Sequence, residues 1–262
     1  MGDEGAGVRT IIQMVQLTRL DCGLASAGFM RMALAQAVHH CRYRSVFQRH
    51  LYDQPMMRAV LSDLALEVEG AVALIMRLAR AFDQAASDPH EAAYARLVTP
   101  AAKYWICKTA PSFIYEAMEC LGGNGYVEES ILPRLYREAP VNAIWEGSGN
   151  VMCLDVLRAL RRDQEAASFF TDLVRKSAPL RETGADLFEP TNEFESEANA
   201  RITVGKLATL AAACALEATA PPAITAAFVR TRLERQHAAL YGADDLEAHT
   251  ADTLLQRALP EG

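Results

Sequence analysis

Glu119-Cys-Leu-Gly-Gly-Asn-Gly-Tyr126, Leu135-Tyr-Arg-Glu-Ala139 and Ile144-Trp-Glu-Gly-Ser-Gly-Asn150 follow one another within residues 119–150. Gly122, Gly123 and Gly125 stop a helix arriving from the N-terminal side and permit positive φ. Ser148 has the side chain of an N-cap and opens a further helix to about Arg162. Between these two punctuation marks lies Glu146, a single carboxylate in a turn bordered by Gly147.

Upstream of that stretch the periodicity is helical, with no alternating strand pattern. From Met57, the apolar residues Leu61, Leu64, Val68, Ala71, Ile75, Leu78 and Phe82 recur at intervals of four and three. This is the seam of a helix packed nearly antiparallel to its neighbours. An earlier helix is expected from about Arg9 to Phe47, and a third from about His90 to Cys120, opened by Asp88-Pro89. The connection from Gln48 to Gln54, with Pro55 after it, is short enough to fold the first two into a hairpin. Four helices make an all-α, up-and-down four-helix bundle, expected over residues 1–162.

The 262 residues are 51% hydrophobic and 23% charged, the balance of an ordinary globular chain. No apolar run reaches the roughly 18 uncharged positions of a membrane span. Leu207 to Leu216, closed off by Lys206 and Glu217, reads as a packed helix. No secretory signal opens the sequence, and Ala6 stands where a myristoylation motif needs Ser or Thr. The six cysteines include no C-x-x-C pair and read as buried thiols of a reduced, cytoplasmic protein. His39 and His40 are adjacent, so on a helix they diverge by about 100° and cannot share a metal ion.

In order and spacing, the three pieces resemble the C-terminal domain of the acyl-CoA dehydrogenase flavoenzymes, whose consensus runs Q-x-L-G-G-x-G-Y, Y-R-D/E-A and I-Y-E-G-T. The Trp-Glu-Gly-Ser form, with Glu119 in place of glutamine, resembles the AidB-like branch. The resemblance implies the same bundle, an FAD cofactor, an acyl-CoA substrate and, through flavin contacts that cross subunits, a homo-oligomer of at least two chains. Gly2-Asp-Glu-Gly-Ala-Gly-Val-Arg9 resembles the turn leading from the family's central β-domain into its first bundle helix. The N-terminal helical domain and the β-domain are therefore expected to be missing, or supplied by another polypeptide.

Such enzymes remove a proton alpha to a thioester while the beta carbon gives a hydride to FAD, so one well-placed carboxylate is needed. Glu146 matches that base, with Ile144 and Trp145 expected to exclude water and raise its pKa, and Gly147 to admit a ligand close to the backbone. Without the resemblance, Glu146 reads rather as a first-turn residue favoured by the helix dipole. Thr18, where some branches carry the base, cannot serve. The resemblance makes Arg44 and Phe47, in Arg44-Ser-Val-Phe47, and Gln54 flavin contacts, Arg44 reaching a neighbouring subunit's pyrophosphate; Gln48 replaces the usual glycine. It assigns Gly122 and Gly123 to phosphate, beside Glu119, and matches Ser148 and Asn150 to the residues after the base. Arg19 matches an arginine near acyl-CoA, with a surface ion pair as its other reading.

Residues 1–162 balance 17 basic against 17 acidic side chains, whereas residues 163–262 carry 9 against 16. Nucleic acid is a poor partner for such a surface, because phosphate binding needs clustered cations. Arg230, Arg232 and Arg235, interrupted by Glu234, read as a solvated helix face rather than a DNA contact. Lys176 to Ser196 reads as a linker. Beyond it, helices are expected from Glu197 to Thr219, from Pro221-Pro222 to about Leu240, and from Asp244 to Ala258. They resemble the extra helical region of AidB-like proteins. An FAD-dependent dehydrogenase domain is the reading adopted; a non-catalytic oligomerisation or partner-binding module, marked by a large exposed apolar patch, and a DNA-protection protein are the alternatives.

Overall fold

The computed structural model describes residues 5–182, 197–234, 240–244 and 246–260. Three long helices carry the architecture: α1 (Gly7–Tyr43), α2 (Pro55–Gln84) and α3 (Pro89–Cys120). Pro55 and Pro89 stand in the first turns of α2 and α3, where a missing N–H costs nothing. Asp88 caps α3 by accepting from His90 N at 2.8 Å. After α3 come a single turn, α4 (Gly123–Tyr126), and two helices, α5 (Leu132–Asn142) and α6 (Gly149–Arg162). The sequence reading had not identified α5.

Contacts between side chains fix the directions. The Cys107 thiol donates to the Cys22 carbonyl and the Cys41 thiol to the Cys120 carbonyl, so α1 and α3 run parallel. Helix α6 runs back along α3: its start lies by Tyr104 and Lys108, and Asp155, further along, pairs with Arg96. With α2 between α1 and α3, this is the expected up-and-down bundle. The seam from Leu61 to Leu78 is buried throughout, with Met57 and Phe82 half-buried at its ends. Helix α2 also buries Asp63, Leu66, Glu67 and Leu74 on another face, because the C-terminal helices cover it.

Helix α1 ends at Tyr43, short of the expected Phe47. Ser45–Val46 pairs antiparallel with Arg49–His50, and Phe47 and Gln48 form the two-residue turn with φ of 51° and 64°. Both central residues of such a hairpin need positive φ. Gln48, standing where the family pattern has glycine, adopts it. The apolar Val46 and Phe47 extended the helical pattern past its real end.

Beyond α6 lie α7 (Gln164–Lys176), α8 (Ala178–Glu182), α9 (Ala200–Thr219), α10 (Pro222–Val229) and α11 (Ala248–Ala258). Helix α8 occupies part of the expected linker; the linker's remainder, 183–196, lies outside the described residues, as do residues 2–4 of the N-terminal turn, Arg235 and residues 236–239 of the helix expected to run to about Leu240. The last helix begins at Ala248 rather than Asp244. By length and composition Glu197–Thr219 is long and apolar enough to cross a membrane, although Arg201, Lys206 and Glu217 interrupt it. Its α9 portion instead packs against α2, α3 and α6, burying Val204, Leu207, Ala211 and Leu216 within the core.

Arg232 corrects the solvated-face reading. Its side chain is 3% exposed. The guanidinium pairs with Asp63, with Glu67 at 3.0 Å and with Asp244 at 3.0 Å. The second Asp63 oxygen accepts from Gly242 N at 2.8 Å. Two buried carboxylates on α2 thereby receive a cation that the sequence supplies some 170 positions later, in the segment Arg230–Glu234 just after α10.

Candidate functional site

Glu146 lies in the turn joining α5 to α6 and is a non-glycine residue at φ 56°, followed by Gly147 at φ 106°. Positive φ on a residue with a Cβ costs on the order of 1–3 kcal/mol and persists only where neighbours over-determine it. Two cations do so here. Arg19 Nε donates to the Glu146 carbonyl at 3.0 Å, and Lys103 Nζ donates to the carbonyls of Asn142 at 2.9 Å and Gly147 at 3.0 Å. A Cβ on Gly147 would fall 2.5 Å from the Met152 Cε, the end of a side chain that can swing aside, so the φ of 106° rather than space is what calls for glycine.

The second arm of Arg19 goes to Asp155, Nη1 to Oδ2 at 2.7 Å, while Arg96 reaches the other oxygen at 2.8 Å and Arg158 approaches at 3.4 Å. Burial alone would raise the Asp155 pKa, but Arg96 and Arg19 outweigh it and hold the carboxyl below the usual aspartate value. Arg19 therefore forms an ion pair, though a largely buried one rather than the surface pair of the sequence reading. Burial pulls the Lys103 ammonium below the ordinary lysine value, with the Cys107 and Cys22 thiols opposing. The Cys22 thiol is itself pushed up, chiefly by burial, and Cys107 to about 11.

The backbone amides from Glu146 to Val151 have no hydrogen-bond acceptor among the described residues; the first bond of α6 is Met152 N to Ser148 O at 3.0 Å. Ser148 takes the N-cap position without making a side-chain capping bond. The start of a helix with its N–H groups unspent attracts anions. Asn150 Oδ1 accepts from Arg201 Nε at 2.9 Å, so α9 touches the site from outside the bundle. Ile144 and Trp145 are 65% and 54% exposed and do not exclude water from Glu146, contrary to expectation.

The predicted residues fall into two groups. Arg19, Trp145, Glu146, Gly147, Ser148 and Asn150 gather at the start of α6. Arg44, Phe47, Gln54, Glu119, Gly122 and Gly123 lie at the far end of α1 and α3, about 25 Å away by the 1.5 Å rise from Lys103 to Cys120. Gln54 Nε2 donates to the Val46 carbonyl at 3.4 Å, tying the hairpin to the start of α2. A hydrogen bond from Tyr115 engages Glu119 and raises the Tyr115 pKa. Gly122 has φ 60°, and space is open beside Gly123.

Lys103, Arg96, Asp155 and Arg201 were not foreseen. The signal for Lys103 was present: a cation in the buried stripe Val98, Ala102, Ile106, Ala110 of α3. Arg201 carried no local signal.

The model of the family "Acyl-CoA dehydrogenase, C-terminal domain" matches residues 5–161. The Escherichia coli (strain K12) protein AidB is 58% identical over 162 residues, covering 62% of this chain and 30% of its own length. The structure of Caenorhabditis elegans ACDH-11 in complex with C11-CoA superposes with a TM-score of 0.72 at 23% identity, covering 100% of this chain and 45% of that one. An acyl-CoA dehydrogenase from Bacillus anthracis, solved with FAD, superposes with a TM-score of 0.65 at 15% identity, covering 97% and 48%. At those identities the two structures speak for the fold alone. The chain thus spans less than half the length of each of these proteins.

Proposed function

The chain belongs to the acyl-CoA dehydrogenase family, AidB-like branch, and from that premise we propose that it provides the C-terminal bundle of an FAD-dependent acyl-CoA oxidoreductase with Glu146 as the base. Residues 1–162 form the family bundle in this reading, and residues 163–262 a linker and helical extension. The observation that carries it is the Glu146 turn: a carboxylate held at positive φ by two cations, beside a run of unspent amides.

Glu146 takes the proton alpha to the thioester carbonyl. The adjacent amides are available as donors to negative charge developing on the thioester oxygen. Gly147 leaves room for the acyl chain, and Trp145 lines its entrance. Arg19 acts through the turn it holds. FAD, when bound, accepts the beta hydride. Ser148 and Asn150, at the start of α6, would help to hold it there. Arg44, Phe47, Gln54, Glu119, Gly122 and Gly123 form a second contact group, and their separation from Glu146 favours contact with a neighbouring subunit's flavin, hence a homodimer or tetramer. Open space beside Gly123 and the unspent amides at α6 fit phosphate oxygens.

The test is flavin absorption of the purified chain after adding FAD and desalting, then bleaching by a saturated acyl-CoA under saturating FAD. The chain alone should retain FAD weakly. Bleaching should slow by about 100- to 10,000-fold in Glu146→Gln, the usual contribution of a general base. Equal rates in the two proteins would remove Glu146 from the role. Arg44→Ala should lower flavin retention without altering the fold.

A second reading has its own observation. Val8, Ile11, Met14 and Leu17 are exposed along the first half of α1, and Ile144 and Trp145 are exposed as well. Exposed apolar side chains in such number mark an interaction surface. A non-catalytic, partner-binding helical module would present the same stripe, and would bleach no flavin even in the assembled protein.

A further inference from the structure

Lys103 is the one buried lysine among the described residues; it forms no ion pair there, although the Glu146 charge acts on it. Both of its hydrogen bonds go to main-chain carbonyls. Asn142 is the last residue of α5, so its carbonyl is one of the orphan acceptors at a helix C-terminus, where a cation is favoured. Gly147 lies just ahead of α6. One ammonium therefore closes the loop from Asn142 to Gly147, and Glu146 is inside it.

The peptide plane extends the consequence. In a trans peptide the carbonyl of one residue and the N–H of the next point in opposite directions. With the Glu146 carbonyl turned to Arg19 and the Gly147 carbonyl turned to Lys103, the N–H groups of Gly147 and Ser148 are directed away from those cations, and neither has an acceptor among the described residues. The two side chains reach the turn from different helices, α1 and α3, so they clamp it from within the bundle.

The geometry points to Lys103 as the positioning residue for the Glu146 turn, setting both the backbone twist that presents the carboxylate and the direction of the Ser148 amide. This rests on Glu146 being the base, but the clamp itself can be tested without flavin. Lys103→Met keeps the length and apolar stem of the side chain and removes the ammonium; Lys103→Arg keeps a cation.

In the full chain, two-dimensional amide spectra and hydrogen exchange are compared for the wild type and both variants. Lys103→Met should displace the amide signals of residues 142–151, and should accelerate exchange at Ala143, Ile144 and Trp145 by about tenfold or more while the cores of α1, α2 and α3 stay protected, as local opening requires. Lys103→Arg should recover part of both signatures. An unchanged turn in Lys103→Met would overturn the inference. If Lys103→Met does not fold, a folded Lys103→Arg with the turn signals retained supports the clamp, whereas failure of both means that the cation serves the bundle core rather than the turn. Glu146→Gln separates the two readings: if it bleaches flavin normally while Lys103→Met still loosens the turn, the base assignment falls and the clamp stands.

Discussion

The Arg19 guanidinium donates from Nε to the Glu146 carbonyl at 3.0 Å, linking the middle of the first helix to a turn 127 residues later. The same group reaches Asp155 from Nη1, so it spans the turn and the helix that follows it. A lysine has no rigid fork and can serve one acceptor well but not both in this geometry. Arg19→Lys should therefore keep much of the Asp155 pairing while freeing the Glu146 carbonyl. Arg19→Ala should cost about 1–3 kcal/mol in urea unfolding, the range for leaving buried acceptors unsatisfied, with Arg96 and Arg158 still serving Asp155. A stability loss in Arg19→Lys as large as that in Arg19→Ala would show that the turn, not the ion pair, takes most of the interaction.

Asp155 gives the fold a pH dependence with a definite sign. Its folded pKa is depressed below the unfolded value because Arg96 and Arg19 outweigh burial. A depressed carboxyl contributes stability above its unfolded pKa, near 3.9, and loses it as pH falls through the folded value. Asp155→Asn should thus be less stable than wild type by about 2–4 kcal/mol at pH 6, where breaking a largely buried pair counts in full. The gap should narrow steadily below about pH 4, where the wild-type carboxyl begins to bind protons. Thermal melts of both proteins from pH 7 to pH 3 decide it; a gap that stays constant would mean that Asp155 shape, not charge, matters.

The bundle was legible because Leu61 to Leu78 repeat at four and three, and because Asp88-Pro89 and the glycines after Cys120 punctuate α3. Glu146 was legible through its motif. Two buried cations were harder to place: Lys103, which ties down the Glu146 turn, and Arg232, which ties the C-terminal helices to α2, have partners far off in sequence, carbonyls 39 and 44 residues away for Lys103 and carboxylates 169 and 165 residues away for Arg232. A lone charge in a helix reads as surface until its partners are known. Helix α5 was hidden by its brevity and by Pro133 and Pro140. Arg44 to Gln54 was read as one helix end and a loop because hairpins of two-residue strands leave no alternation to detect.

Arg232 holds the C-terminal helices to the bundle through two buried carboxylates. Removing the cation alone leaves Asp63 and Glu67 buried near each other without a counter-charge, Asp63 keeping only the Gly242 N–H. Arg232→Met should destabilise by about 3–5 kcal/mol, the cost of breaking a buried pair from one side. Neutralising all three together, Arg232→Met with Asp63→Asn and Glu67→Gln, should recover a large part of that loss, since of the group only the less buried Asp244 then keeps its charge. A triple-mutant cycle by thermal unfolding measures this. Additive losses across the set would mean that the three side chains act separately.

Gly125 and Gly123, two positions apart in the same turn, should respond in opposite ways to one methyl group. A Cβ at Gly125 would lie 2.2 Å from the Met118 carbonyl oxygen and 2.9 Å from the Met118 Cα. Those are backbone atoms, so no rotamer change relieves the clash, and the turn must move away from the end of α3. Gly125→Ala should cost about 2–4 kcal/mol in urea unfolding, as overpacking against a rigid wall does. At Gly123 a Cβ meets nothing within 4 Å, and the residue begins the helical turn α4. Gly123→Ala should leave stability unchanged or raise it by about 0.4–1 kcal/mol through the unfolded state. It also places a methyl group where the proposed flavin phosphate approaches. A Gly123→Ala protein that is as stable as wild type yet retains less FAD would separate binding from folding at this turn, and one that retains FAD fully would remove Gly123 from the phosphate contact.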